Sequence, residues 1–245
     1  MATLGFFIGL DPHYLIFVGL PLLVITVGAQ LMVKAAYSKW SRVANTKGIT
    51  GAEAAYVILR SAGVNDVKIE QVDGFLSDHY SPSEKVLRLS PENYQGHSIA
   101  AVGVAAHEAG HAIQHANHYA PLVLRNVAVP AAGIGSHLGY FALMIGVFMS
   151  YQGAPALNTF TLLGVIGLAA VALFQIVNLP VEFDASRRAL QYLPEIGILS
   201  QEENAGARSV LTAAALTYVA GTIAAIWTLL YWLLRLGVIG GSRDD

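Results

Sequence analysis

Residues 107–111 read His-Glu-Ala-Gly-His, and the residues on either side of this pentad are small and apolar. A run of that composition favours a buried α-helix. Residues four apart on an α-helix lie about 40° apart around its axis, so His107 and His111 can bind the same metal ion. Glu108 lies between them, where it can act on water that a bound metal makes acidic. The pentad is therefore predicted to be a helix-borne zinc site.

The remainder of the chain is much more apolar than an ordinary soluble protein. Of its 245 residues, 55% are hydrophobic and 12% are charged, whereas about 25% of the residues of soluble domains are charged. Crossing a bilayer core takes about 20 apolar residues. Four stretches are long enough, at residues 14–33, 122–150, 156–179 and 210–236. The sequence therefore predicts a mainly α polytopic membrane protein with about four transmembrane helices, the first of them beginning at Asp11 and Pro12.

Net charge and cysteine content limit the possible partners. A formal net charge of −2 leaves no basic patch of the size that nucleic acid requires, so no nucleic-acid partner is predicted. The chain has no cysteine, which excludes both a disulfide framework and a thiolate zinc site. Any zinc must then be held by histidine and carboxylate side chains.

The distribution of basic residues predicts how the spans are oriented. The residues before the first span carry no lysine or arginine, whereas a basic cluster follows it, formed by Lys34, Lys39, Arg42 and Lys47. The positive-inside rule then places residues 35–120 in the cytoplasm and the uncharged turn at 151–155 outside. We therefore expect a multi-pass protein of the inner (plasma) membrane. The pentad and the segment after the third span should both lie on its cytoplasmic side.

The chain is predicted to have five segments. They are residues 1–34, the first transmembrane segment; 35–121, a zincin-like region with the pentad helix; 122–179, a transmembrane hairpin; 180–209, a helix and loop that supply the third metal ligand; and 210–245, the last transmembrane helix and tail.

The small cytoplasmic region is predicted to be α+β. Thr50 and Glu53 have the spacing of a capping box, which opens a helix that Gly63 ends. Residues 67–72 and 85–89 alternate apolar and polar side chains, as two short strands do. The second strand is expected to offer an open edge to an extended substrate, with an ordinary covered edge as the alternative.

A catalytic zinc site needs a third protein ligand besides the two histidines. The metzincin pattern is excluded because it requires glycine and histidine at positions where this chain has Gln114 and Asn117. His118 is about 16 Å along the helix from the start of the pentad, too far to share one ion. Glu182 remains as the candidate, since a carboxylate beside a membrane span is costly unless it is used. Its position alone fits equally well with a helix cap or an ion pair to Arg187.

Several motifs of the chain resemble those of one known family. They are Ser77-Asp-His-Tyr-Ser-Pro82, Val86-Leu-Arg-Leu-Ser90, Ala105-Ala-His-Glu-Ala-Gly-His-Ala-Ile-Gln114, Leu179-Pro-Val-Glu-Phe-Asp-Ala-Ser-Arg-Arg188 and Ala213-Ala-Ala-Leu-Thr-Tyr-Val219. Together they resemble the bacterial membrane zinc metallopeptidases of the YugP type, from the first span to the last. HtpX-type membrane proteases and CAAX prenyl proteases are more distantly similar. The resemblance implies that His107, His111 and Glu182 are zinc ligands and that Glu108 is the catalytic base.

The chain departs from the HtpX-type pattern at one position. That pattern has an aspartate four residues after the ligand glutamate, whereas this chain has Ser186 there. Asp184 is only two residues after Glu182, about 200° around the helix, so it cannot simply take that place. The residue that orients a zinc-bound histidine is therefore unassigned by the sequence.

These features predict a membrane-embedded, zinc-dependent endopeptidase that hydrolyses membrane or unfolded proteins, with Glu108 as general base. Tyr218, His79, Arg187 and Arg208 are candidates, by chemistry alone, for stabilising the transition state, with a structural role as the alternative for each. Two other classes stay open. A catalytically inactive membrane scaffold would not need Glu108, and a metal transporter would place its histidine and glutamate ligands within the spans near the midplane.

Three smaller features of the sequence also lead to predictions. Gly135 and Gly139 form a small-residue pair in the second span, which indicates close packing of helices. His137, in the same span, is expected to make a hydrogen bond between helices. An acidic loop is predicted from Glu195, Glu202 and Glu203.

Overall fold

A computed structural model of the protein describes residues 12–240. In chain order its elements are α1 Pro12–Trp40, α2 Gly51–Ser61, β1 Lys68–Gln71, β2 His79–Ser81, β3 Val86–Leu89, α3 Pro91–Tyr94, α4 Ile99–Ala116, α5 Ala120–Tyr151, α6 Thr159–Glu195 and α7 Gln201–Arg235. Asp11, predicted to cap the first helix, lies outside the described residues.

Four of the helices are long and apolar enough to cross a membrane. They are α1, α5, α6 and α7, with 29, 32, 37 and 35 residues. At about 1.5 Å per residue, even α1 is longer than the roughly 30 Å of a hydrocarbon core. Together with a small three-stranded sheet, these helices confirm the prediction of a mainly α polytopic protein.

Two of the long helices extend beyond their predicted ends. α6 continues through Pro180, where the sequence predicted the start of a new helix. Proline removes one backbone hydrogen bond, but neighbouring helices make this tolerable in membrane helices. α7 begins at Gln201, within the segment predicted to be an acidic loop. The reason is a second capping box, because Ser200 N–H donates to Glu203 Oε2 over 2.8 Å and Glu203 N–H donates to Ser200 Oγ over 3.2 Å.

The described residues divide into two compact units. One, here called the span unit, comprises residues 12–28, 124–178 and 219–240, and the other, the site unit, comprises residues 29–123 and 179–218. Within the span unit, α5 and α6 approach closely at glycines. A Cβ on Gly135 would lie 2.6 Å from the carbonyl oxygen of Gly167, and one on Gly139 would lie 2.8 Å from its Cα. This close packing confirms the small-residue pair predicted in the second span.

His137 behaves differently from the sequence prediction. It was expected to make a hydrogen bond between helices, but its Nδ1 lies 3.1 Å from the carbonyl oxygen of Gly133 on its own helix. The side chain is exposed on the surface of α5. The helical turn itself supplies the partner, because a carbonyl four residues earlier is always within reach.

In the site unit, the sheet has the strand order β1-β3-β2. β1 runs parallel to β3, with Lys68 opposite Val86, and β2 runs antiparallel to it, with Tyr80 opposite Leu87. The sequence missed β2, which is only three residues long and lies in a turn-rich segment. β3 is therefore the central strand with both edges paired, and the prediction that it offers an open edge was wrong.

The core of the site unit is formed by α2 and α4 packed with the sheet and the end of α6. Its fully buried side chains include Ile58, Leu87, Leu89, Ile113 and Leu193. The predicted capping box opens α2, since Glu53 N–H donates to Thr50 Oγ and Thr50 N–H donates to Glu53 Oε2. This core holds α4 against α6, and it is between these two helices that the predicted ligands lie.

Candidate metal centre

α4 carries the pentad on a regular, deeply buried helix. The hydroxyl of Ser98 caps its first turn by accepting a hydrogen bond from Ala101 N–H over 3.1 Å. Small residues on both sides of the pentad are fully buried, so the helix packs tightly on its neighbours. Glu108 and His111 are 9% and 8% exposed. The imidazoles and the carboxylate between them are thus held in a largely dry environment.

Glu182 on α6 meets the two histidines of α4. Its Oε2 lies 3.3 Å from His107 Nε2 and 3.6 Å from His111 Nε2, and the residue is only 3% exposed. Among residues 12–240, these three form the one group of at least three histidine or acidic side chains that could share an ion. The structure therefore brings together the three side chains that the sequence predicted as ligands.

The spacing and surroundings of the three atoms fit a zinc ion. Two ligand atoms each about 2.0–2.1 Å from a tetrahedral zinc lie about 3.4 Å apart, close to the distances found here. Glu182 Oε2 is also buried and makes no hydrogen bond of good geometry within the described part of the chain. A buried carboxylate oxygen without a partner is unfavourable unless a cation satisfies it.

His111 is oriented by Gln114, one turn further along α4. Nδ1 of His111 lies 3.0 Å from Gln114 Oε1, which can only accept, so Nδ1 carries the proton and donates. In the neutral imidazole, Nε2, which faces Glu182, is then the nitrogen with a free lone pair for a metal. Burial by itself lowers the pKa of His111, but the carboxylates of Glu182 and Glu108 outweigh it and the pKa is raised.

Gln114 is itself held by α6. Its amide nitrogen donates to the carbonyl oxygen of Val181 over 2.8 Å and to Asp184 Oδ2 over 3.0 Å. Asp184 in turn pairs with Arg187 and with Arg188, the latter over 2.5 Å. Asp184 thus contacts His111 through Gln114 rather than directly. The sequence signal for this link was the i, i+3 spacing of His111 and Gln114 on one helix face.

His107 is oriented by Ser186, which stands where the HtpX-type pattern has an aspartate. Ser186 Oγ lies 3.1 Å from His107 Nδ1. Serine reaches the imidazole in place of an aspartate because α4 and α6 are very close at this level. Both histidines therefore have a hydrogen-bonded partner on the ring nitrogen that faces away from Glu182.

Gly110 makes this close approach possible. A Cβ built on Gly110 would lie 2.7 Å from the carbonyl oxygen of Ala185, a distance that real Cβ atoms do not show. Only a hydrogen fits between the two backbones. The glycine of the pentad therefore sets the distance between the helix with the histidines and the helix with Glu182.

Three other histidines of the site unit have different surroundings. His115 Nδ1 lies 2.9 Å from the hydroxyl of Tyr80, whose pKa burial raises to about 12. Nδ1 of His115 therefore makes its hydrogen bond with Tyr80, away from the metal centre. His118 follows the end of α4 with φ of 51°. His79 on β2 has its Nδ1 2.8 Å from the carbonyl oxygen of Ser77.

The two arginines considered for catalysis line a groove beside the centre. Arg187 and Arg208 face a groove of about 390 Å³ between α6 and α7, and Ser186 forms part of its wall. Its other walls are mainly apolar and include Phe183 and Leu211. Arg187 is already paired with Asp184. The side chain of Ser186 lies between the groove and His107.

Comparisons with known proteins identify the family of the chain. A family model described as "Putative neutral zinc metallopeptidase" matches residues 14–237. The chain is 40% identical over 230 residues to "Putative membrane protease YugP" of Bacillus subtilis (strain 168), covering 94% of this chain and 98% of that protein. No solved structure matches. The resemblance to the YugP type is confirmed, and the chain belongs to the "Putative neutral zinc metallopeptidase" family.

Proposed function

We propose that the protein is a membrane-embedded, zinc-dependent endopeptidase in which His107, His111 and Glu182 hold the metal. The observation that carries the proposal is the convergence of Glu182 Oε2, which is buried and has no hydrogen-bond partner among residues 12–240, on two Nε2 atoms at 3.3 and 3.6 Å. The family match and the name of the relative support zinc peptidase chemistry. Two histidines and one glutamate leave a fourth position for water, as catalytic zinc sites require.

Glu108 is the proposed general base and acid. Zinc, when bound, supplies Lewis-acid chemistry by polarising a carbonyl and making water more acidic. Glu108 removes a proton from the attacking water and then delivers it to the nitrogen of the leaving amine. Its place on α4, one residue after His107 and three before His111, supports a position beside the ligands. Its low exposure keeps bulk water from competing for that proton.

The position of the ligands favours hydrolysis over the two alternatives. A metal transporter would hold its ions near the middle of the spans, whereas His107 and His111 lie on α4, which is not one of the four candidate spans. Glu182 lies on α6, but after the apolar stretch of residues 156–179. An inactive scaffold would have no use for Glu108 beside a complete set of ligands. We infer that the substrates are membrane or unfolded polypeptides and that cleavage occurs on the cytoplasmic side. The basic residues that follow the first span support this orientation.

Zinc removal tests the proposed function. We expect the full chain purified in detergent to contain one bound zinc ion and to cleave an unfolded protein such as reduced casein. Treatment with 1,10-phenanthroline should abolish cleavage, and stoichiometric zinc should restore it, because the ligands are present before the metal binds. Zinc-free protein that cleaves as fast as the zinc-loaded protein would contradict the proposal.

Gln114 is expected to act as a positioning residue for His111. Replacing Gln114 with leucine should weaken zinc binding by about 10- to 100-fold, because outer partners of metal-bound histidines have effects of this size. Zinc affinity is measured by competition with a chelator of known affinity, and thermal unfolding checks that the variant folds. Gln95→Leu, an exposed substitution of the same kind, should leave zinc affinity unchanged. A folded Gln114→Leu variant with unaltered zinc affinity would remove this role.

A further inference from the structure

An apolar loop tip projects from the site unit between β1 and β2. Phe75 is 67% exposed and Leu76 is 40% exposed. Both follow Gly74, whose φ is +110°, and Leu76 itself has φ of +52°, a region that leucine rarely adopts. The backbone is therefore held in an uncommon conformation that leaves two large apolar side chains outside the core.

The base of this loop is firmly attached. The carboxylate of Asp78 accepts hydrogen bonds from Ser90 N–H and from Asn93 Nδ2, each over 2.8 Å. Asn93 Oδ1 in turn accepts a hydrogen bond of 2.9 Å from the hydroxyl of Tyr37 on α1. The loop tip is thus connected through two side chains to the first membrane helix.

The tip packs beside α1 shortly after the end of the first predicted span at residue 33. The ring of Phe75 packs edge-on against that of Tyr37, with centroids 5.7 Å apart. Met32 is among the exposed large apolar residues of α1, and Lys34 and Lys39 mark the start of the basic region after it. Tyr37 is about 8 Å beyond Met32 along the helix, and the headgroup zone of a bilayer is about 5–7 Å thick on each side.

We propose that Phe75 and Leu76 insert into the headgroup region of the bilayer beside α1. Phenylalanine and leucine side chains of interfacial segments are buried at the boundary between headgroups and acyl chains, where their apolar surface leaves water. Within the site unit, the tip then adds to the exposed apolar surface that Leu31 and Met32 of α1 present. Insertion gives the site unit an attachment to the lipid surface in addition to its helices, and the proposal does not depend on peptidase activity.

A single introduced thiol can test the insertion, because the chain has no cysteine. The full chain carrying Phe75→Cys is labelled with nitrobenzoxadiazole and reconstituted into vesicles of phosphatidylcholine and phosphatidylglycerol. We expect blue-shifted emission, strong quenching by lipids with a nitroxide near the headgroup, and at least a several-fold lower quenching by aqueous iodide than at a control position. Ser83→Cys is the control, because Ser83 is exposed in the turn that follows β2.

Leu76→Cys provides a second site in case Phe75→Cys fails to fold. Labels at both positions that are quenched by iodide as strongly as the label at Ser83→Cys would overturn the proposal. It would also be overturned if the labels became protected only when an unfolded polypeptide is added, because the tip would then contact substrate and not lipid. Protection in vesicles without added polypeptide is the result that supports insertion.

Discussion

Replacing Glu108 with glutamine is expected to lower kcat for peptide cleavage by about 10²- to 10⁴-fold, the usual contribution of general acid–base catalysis. Glutamine keeps the size of the side chain but cannot take a proton from water. His107, His111 and Glu182 are unchanged in this variant, so zinc binding should persist. The measurement is the rate of cleavage of an unfolded protein in detergent, together with the zinc content of the same preparation.

Two comparisons make the Glu108→Gln result decisive. Glu92→Gln removes an exposed carboxylate on α3 and should leave both activity and zinc content unchanged. Zinc content close to that of the unaltered protein shows that the loss of cleavage does not come from loss of the metal. Equal cleavage rates for the Glu108→Gln variant and the unaltered protein would remove Glu108 from the proposed mechanism.

Replacing Glu182 with glutamine is expected to weaken zinc binding by more than about 100-fold. Losing a residue that only orients a ligand weakens binding by at most about this factor, and Glu182 is proposed to bind the ion itself. The amide is neutral and binds zinc poorly, whereas the carboxylate oxygen of Glu182 lies within 3.6 Å of both Nε2 atoms. Cleavage should fall in parallel at low free zinc. Zinc affinity is measured by chelator competition.

The control for Glu182 lies on the same helix. Glu195 is exposed at the end of α6, and Glu195→Gln should bind zinc as the unaltered protein does. The amide of the Glu182→Gln variant carries no buried charge, so the variant should remain folded, which thermal unfolding in detergent checks. A folded Glu182→Gln variant that still binds zinc with full affinity would show that the third ligand is another residue.

Local patterns were enough to predict much of the fold. The spans follow from apolar length, and the start of α2 follows from the Thr50 and Glu53 capping box, because both signals act over a few neighbouring residues. The same box at Ser200 and Glu203 was present in the sequence but was interpreted as part of an acidic loop. The course of α6 through Pro180 was missed because proline usually interrupts or starts a helix, and tertiary packing overrides that tendency here.

The surroundings of the predicted ligands depend on tertiary structure, and sequence reasoning could not reach them. The i, i+3 spacing on α4 signals the contact of His111 with Gln114, but the step from Gln114 to Asp184 joins α4 to α6, and no spacing within one helix reveals it. Ser186 contacts His107 only because the two helices are unusually close. The short strand β2 likewise forms because β3 provides a partner, since three residues have too few side chains to show an alternating pattern.

The contact between Gly110 and Ala185 implies that the pentad is more restrictive in this fold than its general form suggests. His-Glu-x-x-His leaves two positions unspecified, and Ala109 occupies the first of them with its small side chain in the core. At the second, the carbonyl oxygen of Ala185 leaves no room for a methyl group. Evolutionary drift at position 110 should therefore be blocked, even though the residue there neither binds metal nor transfers a proton.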